Sequence, residues 1–167
     1  MRTMAWVACA LLALVLSGTA QAQTKLAGKM QCPKPDPNYT APVGDQAHHA
    51  LALAAQTCTW SQGDLGGDRL QDEVDTFTSD ISGTLSRDRG YGVGSVASGD
   101  KYFIRFAGTT TLKGDTPVRA QCTWTFTGGT GKLQGLTGKG TCAGTFRADG
   151  TSSWDIQGDY GMHATAN

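Results

Sequence analysis

Hydrophobic and polar positions alternate most strictly between residues 118 and 127. Val118, Ala120, Cys122, Trp124 and Phe126 fall on one face, and Arg119, Gln121, Thr123, Thr125 and Thr127 on the other. Period-two alternation rich in Thr and aromatics is the pattern of a half-buried strand. A second arm repeats the pattern more faintly, with Gly140, Cys142, Gly144 and Phe146 on one face. Six glycines from Gly128 to Gly140 mark a turn region between the arms, where the backbone needs unusual angles or close approach. Folding the arms antiparallel about Lys132 sets Cys122 opposite Cys142, Trp124 opposite Gly140 and Phe126 opposite Gly138. Aromatic rings covering bare strand glycines are a known device of sheets.

The same reading extends along the chain. Residues 23–44 carry Pro33, Pro35, Pro37 and Pro42 and predict an irregular, extended arm. Residues 49–60 predict a strand, with Leu51, Leu53 and Ala55 alternating; a short helical turn before it is the competing reading. Residues 61–69 are a Gly/Asp loop. Further strands are predicted at 70–77, 81–85 and 91–96, the last two separated by Arg87-Asp88-Arg89-Gly90. Residues 101–112 form a clear strand, with Tyr102, Ile104 and Phe106 on one face and Phe103 and Arg105 on the other. A final strand covers 153–160, with Trp154, Ile156 and Tyr160 on one face. Short strands separated by turn signals predict an all-β fold, an antiparallel barrel or a sandwich, and closure into a barrel removes exposed edges.

The first residues change the picture of the mature chain. Arg2, an apolar run over 4–16 and the small-residue ending Ala20-Gln21-Ala22 have the form of a signal peptide over residues 1–22. The run is too short for a membrane span, and no later run resembles it. Export to a periplasmic or extracellular compartment follows. The remaining chain then divides into the arm at 23–44 and one domain at 45–167. Without Arg2 it has thirteen basic side chains, since the sequence has fourteen, against fourteen acidic ones. That balance gives no electrostatic footprint for nucleic acid or an anionic membrane. Thirteen of the fourteen acids are Asp, and Glu73 is the one Glu. Four cysteines remain beyond the leader, and an even count in an exported chain implies disulfides. The hairpin register favours Cys122–Cys142, which leaves Cys32–Cys58. No Cys-x-x-Cys pair supports a zinc site.

A resemblance adds to this. The run Gly128-Gly129-Thr130-Gly131-Lys132-Leu133-Gln134-Gly135-Leu136-Thr137-Gly138-Lys139-Gly140-Thr141 resembles the glycine-rich signature of small exported bacterial proteins similar to the allene oxide cyclase and dirigent-type barrels. Gly99-Asp100-Lys101-Tyr102-Phe103-Ile104-Arg105-Phe106, Cys58-Thr59-Trp60 and residues 154–160 are similar to the same group. The resemblance implies an antiparallel β-barrel of about eight strands with a central cavity, preceded here by the irregular proline-rich arm. Lys132 stands where the plant enzymes carry an aromatic or apolar residue, and no catalytic residue of theirs maps onto this chain.

The candidate chemistry is sparse. Gly131-Lys132 and Gly138-Lys139 lack the flanking residues of a phosphate loop. His48 and His49 could serve a metal, but neighbours on a strand point to opposite faces; no metal or other cofactor is expected. The acids Asp64, Asp68, Asp72, Glu73 and Asp75 lack calcium-loop spacing and read as a solvated loop and strand face. Trp60, Trp124, Trp154, Tyr91, Tyr102 and Tyr160 are core residues or the lining of a ligand cavity. Arg105, Tyr102 and Trp124 are the candidate ligand contacts, Arg105 only if its face points inward. Three functions follow. The first is a barrel that binds an apolar or amphipathic small molecule. The second is a cofactor-free cyclase or isomerase. The third is a cell-envelope structural or interaction protein with a side-chain-filled barrel.

Overall fold

A computed structural model of the chain describes residues 23–163; the leader expected over residues 1–22 lies outside them. Ten strands follow in chain order: β1 (Thr24–Cys32), β2 (Asn38–Pro42), β3 (His49–Gln62), β4 (Asp64–Leu65), β5 (Asp68–Ser82), β6 (Leu85–Val96), β7 (Lys101–Lys113), β8 (Thr116–Gly129), β9 (Leu136–Phe146) and β10 (Ser152–Met162). Eight of them close a barrel. β3, β1, β10, β9, β8, β7, β6 and β5 pair in that order, all antiparallel, and β5 pairs back onto β3. Eight strands give an interior just wide enough to be filled by side chains or to hold one small ligand.

The proline-rich segment is part of this wall. β1 pairs with β10 along its whole length and with the end of β3, and β2 pairs with the start of β3. The two form one interrupted stave, so the barrel begins before residue 45. Pro33, Pro35 and Pro37 occupy the irregular break. Proline lacks the N–H a ladder needs, and the break is bridged by Asp36 N–H to the Ala55 carbonyl and Ala55 N–H to the Pro37 carbonyl.

The central hairpin has the expected register: Cys122 opposes Cys142 and Trp124 opposes Gly140. The Trp124 ring lies over Gly140 and Gly158, where a Cβ would collide with it. Phe126 does not cover Gly138. The ladder ends at Thr125 and Lys139, and Phe126 packs edge-on against Trp124 and Tyr102 instead. Disulfides join Cys32 to Cys58 and Cys122 to Cys142, with Cα–Cα distances of 4.2 and 5.0 Å.

Two expected boundaries are wrong. β5 continues through Ile81, and the chain turns at Gly83 and Thr84, so residues 81–85 are a hairpin end and not a strand. Arg87-Asp88-Arg89-Gly90 lies inside β6. Its loop-like composition is overridden by pairing on both sides, to β5 and β7. The arginines point outward, and the Asp88 carboxylate is held by side-chain hydroxyls.

A bulge in β5 has the largest effect on the interior. The β5–β6 register shifts between Leu70 and Glu73. An extra residue switches the faces of a strand. Leu70 points inward before the shift; Glu73, Asp75, Phe77 and Ser79 point inward after it, and Val74 is left 47% exposed. Over residues 49–59 β3 pairs with β5 without such a shift, and its even-numbered alanines face the interior while Leu51 and Leu53 face solvent.

One barrel end is closed. Leu65, Leu70, Leu133, Leu136 and Tyr160 are buried there. The Tyr160 hydroxyl accepts a hydrogen bond from Gly66 N–H at 3.0 Å, which ties the β4 segment across the base. The glycine-rich signature belongs to this closure. Thr130 Oγ1 accepts from Lys101 N–H at 2.8 Å, and Asp100 Oδ2 accepts from Lys132 N–H at 3.0 Å. Gly131 has φ +51, and a Cβ on it would enter the Asp100 carboxylate. Two of the segments that carry the resemblance are therefore stapled to each other and shape the barrel floor.

Candidate functional site

The barrel encloses a cavity of about 570 Å³. Its mouth lies at the end formed by the β1–β2 break, His48, Gly83, Asp115 and the β9–β10 turn at Arg147 to Gly150. The sequence makes this space with small inward residues. Ala50, Ala52 and Ala54 line it from β3. On β6 the inward positions Gly90, Gly92 and Gly94 leave room for larger neighbours: a Cβ there would strike Phe77 and Phe106, Asp75 and Ile104, and Tyr102, respectively.

Three zones follow one another along the lumen. Near the floor, Trp60 Nε1–H donates to Tyr102 Oη at 2.8 Å, and the Tyr102 hydroxyl donates to Glu73 Oε2 at 2.6 Å. Asp75 follows two residues along β5 on the same face. Around and above them lies an apolar belt that includes Met30, Phe77, Ile104, Trp124 and Ile156. Towards the mouth, Asp88 accepts hydrogen bonds from Ser79 and Ser86 at 2.6 Å each and from Thr110 at 2.7 Å.

The floor group has unusual electrostatics. Glu73 is 3% exposed and Asp75 5%. Burial is the main cause that raises both carboxyls. Asp75 is pushed up to about 9, by burial and then by the charge of Glu73, with Gln56 opposing. Burial also holds the Tyr102 hydroxyl well above its ordinary range, and the neighbouring Glu73 charge adds to this. Like charges this close cannot both ionise cheaply, so the pair keeps a proton at neutral pH. Cys58 Sγ lies 3.7 Å from Asp75 Oδ2. As half of a disulfide this sulfur carries no proton, so a hydrogen bond across that contact requires the proton on Asp75. Asp75 Oδ1 is buried and has no hydrogen-bond partner.

Of the three candidate ligand contacts, Tyr102 and Trp124 line the lumen. Arg105 does not join them; its face of β7 points outward and its side chain is exposed. Tyr91 is also outside, 70% exposed, whereas Trp60 and Trp154 line the lumen and Tyr160 is buried in the floor. His49 sits between two carboxylates, Nδ1 on Asp45 and Nε2 on Asp80, which raise its pKa and occupy both ring nitrogens. His48 stands at the mouth. Among the described residues, no group of three or more His, Cys, Asp or Glu side chains converges as a metal site would require.

The acid pair was not read as a site from the sequence. The acidic run was expected to be a solvated loop and strand face, and the bulge instead turns Glu73 and Asp75 inward. The available signals were the single Glu of the chain and the spacing of Glu73 and Asp75, which places both carboxyls on one face of a strand.

No protein-family model matches the chain, and no curated protein matches it. Fold and site together define its class: a disulfide-bonded antiparallel β-barrel, closed at one end, with an acid pair near the floor of an apolar lumen.

Proposed function

We propose that this protein is an exported receptacle for one apolar or amphipathic small molecule, bound in the barrel lumen. The observation that carries this reading is the cavity of about 570 Å³, open at one end, its surface mainly that of aromatic and aliphatic side chains, with polar groups gathered near the floor and towards the mouth. Ligand sites have this size and composition. The same cavity weighs against a filled barrel that acts only through its outer surface. The two disulfides accord with export. Among the described residues, no helix is long and apolar enough to cross a membrane. Native mass spectrometry of protein recovered from its own compartment, followed by solvent extraction, tests the reading. The expected result is a stoichiometric small-molecule adduct. A clean apo mass, together with no uptake of added apolar ligands, would refute it.

The buried acid pair favours a second reading, a cofactor-free isomerase or cyclase acting in the same lumen. A carboxyl that keeps its proton at neutral pH inside an apolar site is a general acid in waiting. The resemblance to allene oxide cyclase-type barrels points the same way. Turnover of the extracted ligand by wild type, lost in Asp75→Asn, is the expected signature; unchanged ligand after long incubation counts against it.

A further inference from the structure

We infer that the floor of the lumen is a site for an organic ammonium ion: an amine on an apolar body, its charged head at Glu73 and Asp75. The inference rests on the lumenal binding proposed above and narrows it to one ligand class.

Among the described residues, nothing that faces the two acids carries a positive charge. β3 presents Gln56, Cys58 and Trp60; β6 presents Gly92 and Gly94; β7 presents Tyr102 and Ile104. Tyr102 is the one other titratable group among them. The basic side chains that line the cavity, Lys34, His48 and Arg147, stand at the mouth. A buried carboxyl pair without a counter-ion is costly unless something supplies charge and hydrogen bonds. The protein supplies the pair with the Tyr102 hydroxyl on Glu73 and the Gln56 side chain beside Asp75. It leaves Asp75 Oδ1 with no donor.

A primary ammonium brings what is missing: three N–H donors, no acceptor and one positive charge. A carboxylate would add a like charge. An alcohol brings one donor and no charge. The surroundings suit a cation as well. Trp60, Tyr102, Trp124 and Phe126 gather at this end of the lumen, and aromatic faces attract cations, most strongly away from water. When the ammonium binds, its charge cancels the single negative charge of the pair, which keeps its shared proton.

The test is isothermal titration of the whole disulfide-bonded protein with decylammonium, decanol and decanoate at neutral pH. Each titration is run in two buffers of different ionisation enthalpy. Decylammonium is expected to bind at least about tenfold more tightly than decanol, the size of a modest buried charge interaction. Decanoate is expected to be the weakest, and the heat of decylammonium binding should be the same in both buffers, since no proton is exchanged. Asp75→Asn and Glu73→Gln should each bring the preference for decylammonium below about threefold and leave decanol binding in place. Decanol binding as tightly as decylammonium, or an unchanged preference in both variants, overturns the ammonium site and leaves the lumenal reading standing. Failure of all three ligands to bind removes both.

Discussion

Replacing Asp75 with Asn should flatten the pH dependence of stability, because the native fold holds a proton that the unfolded chain releases. The folded-state pKa of Asp75 lies at about 9, above an ordinary value of 3.8. Between those values the native state binds one more proton than the unfolded state. Stability contributed by this group is therefore present below pH 4 and is lost as pH rises towards 9. The slope is about 1.4 kcal/mol per pH unit for one proton. From pH 5 to 8 the wild type should lose about 4 kcal/mol through this group. Asp45, Asp68 and Asp149 have lowered pKa values, so their contributions change below this window. His49 and Glu73, whose pKa values are raised, also lose their contributions as pH rises, but do so in both proteins, so the difference between the two curves reports Asp75. The assay is urea unfolding at pH 5, 6, 7 and 8 with disulfides intact. Wild type should fall more steeply than Asp75→Asn by about one proton's worth of slope. Parallel curves would refute the claim that the pair is buried and protonated.

Three further outcomes follow from the packing. Tyr102→Phe leaves Trp60 Nε1–H and Glu73 Oε2 without the hydroxyl that joins them, and should cost about 1–3 kcal/mol for each unpartnered group, read by urea unfolding. Gly94→Ala drives a methyl into the Tyr102 ring and should lower the thermal midpoint by about 2–12 °C, as overpacking of about 1–3 kcal/mol implies. Gly99→Ala, with open space around its Cβ position, should cost only its left-handed backbone strain of about 1–2 kcal/mol, and so less than Gly131→Ala, which adds the clash with Asp100. A thermal midpoint ranking with Gly99→Ala the more damaging would contradict the proposed floor closure.

The fold was legible in the sequence where side-chain alternation and turn chemistry agreed. The 118–146 hairpin is the clearest case: alternation gave the faces, the glycines gave the turn, and the two together placed Cys122 against Cys142. Legibility failed where tertiary pairing overrode local signals. Arg87-Asp88-Arg89-Gly90 has the composition of a loop, yet neighbours on both sides hold it as strand. The N-terminal prolines marked a real break, but the residues before it, Thr24–Cys32, are a barrel stave. The candidate site was half legible. Tyr102 and Trp124 were placed by the alternation of long, regular strands. Glu73 and Asp75 were hidden by a bulge, which no periodic pattern announces. On β3 the alternation left open which set faces inward: the alanines line the lumen, and Leu51 and Leu53 stand on the surface.

That contrast supplies the most direct test of a lumenal binding site. Ala52 lines the cavity, and Leu53, the next residue, faces solvent. Ala52→Trp and Leu53→Trp place the same indole on opposite sides of the same strand. Binding of an environment-sensitive apolar fluorophore to wild type and to both folded variants, checked by circular dichroism, compares the two sides. Binding should survive in Leu53→Trp and be lost in Ala52→Trp, whose indole occupies the lumen. Equal binding by the two variants, or loss in Leu53→Trp alone, would contradict a ligand site inside the barrel.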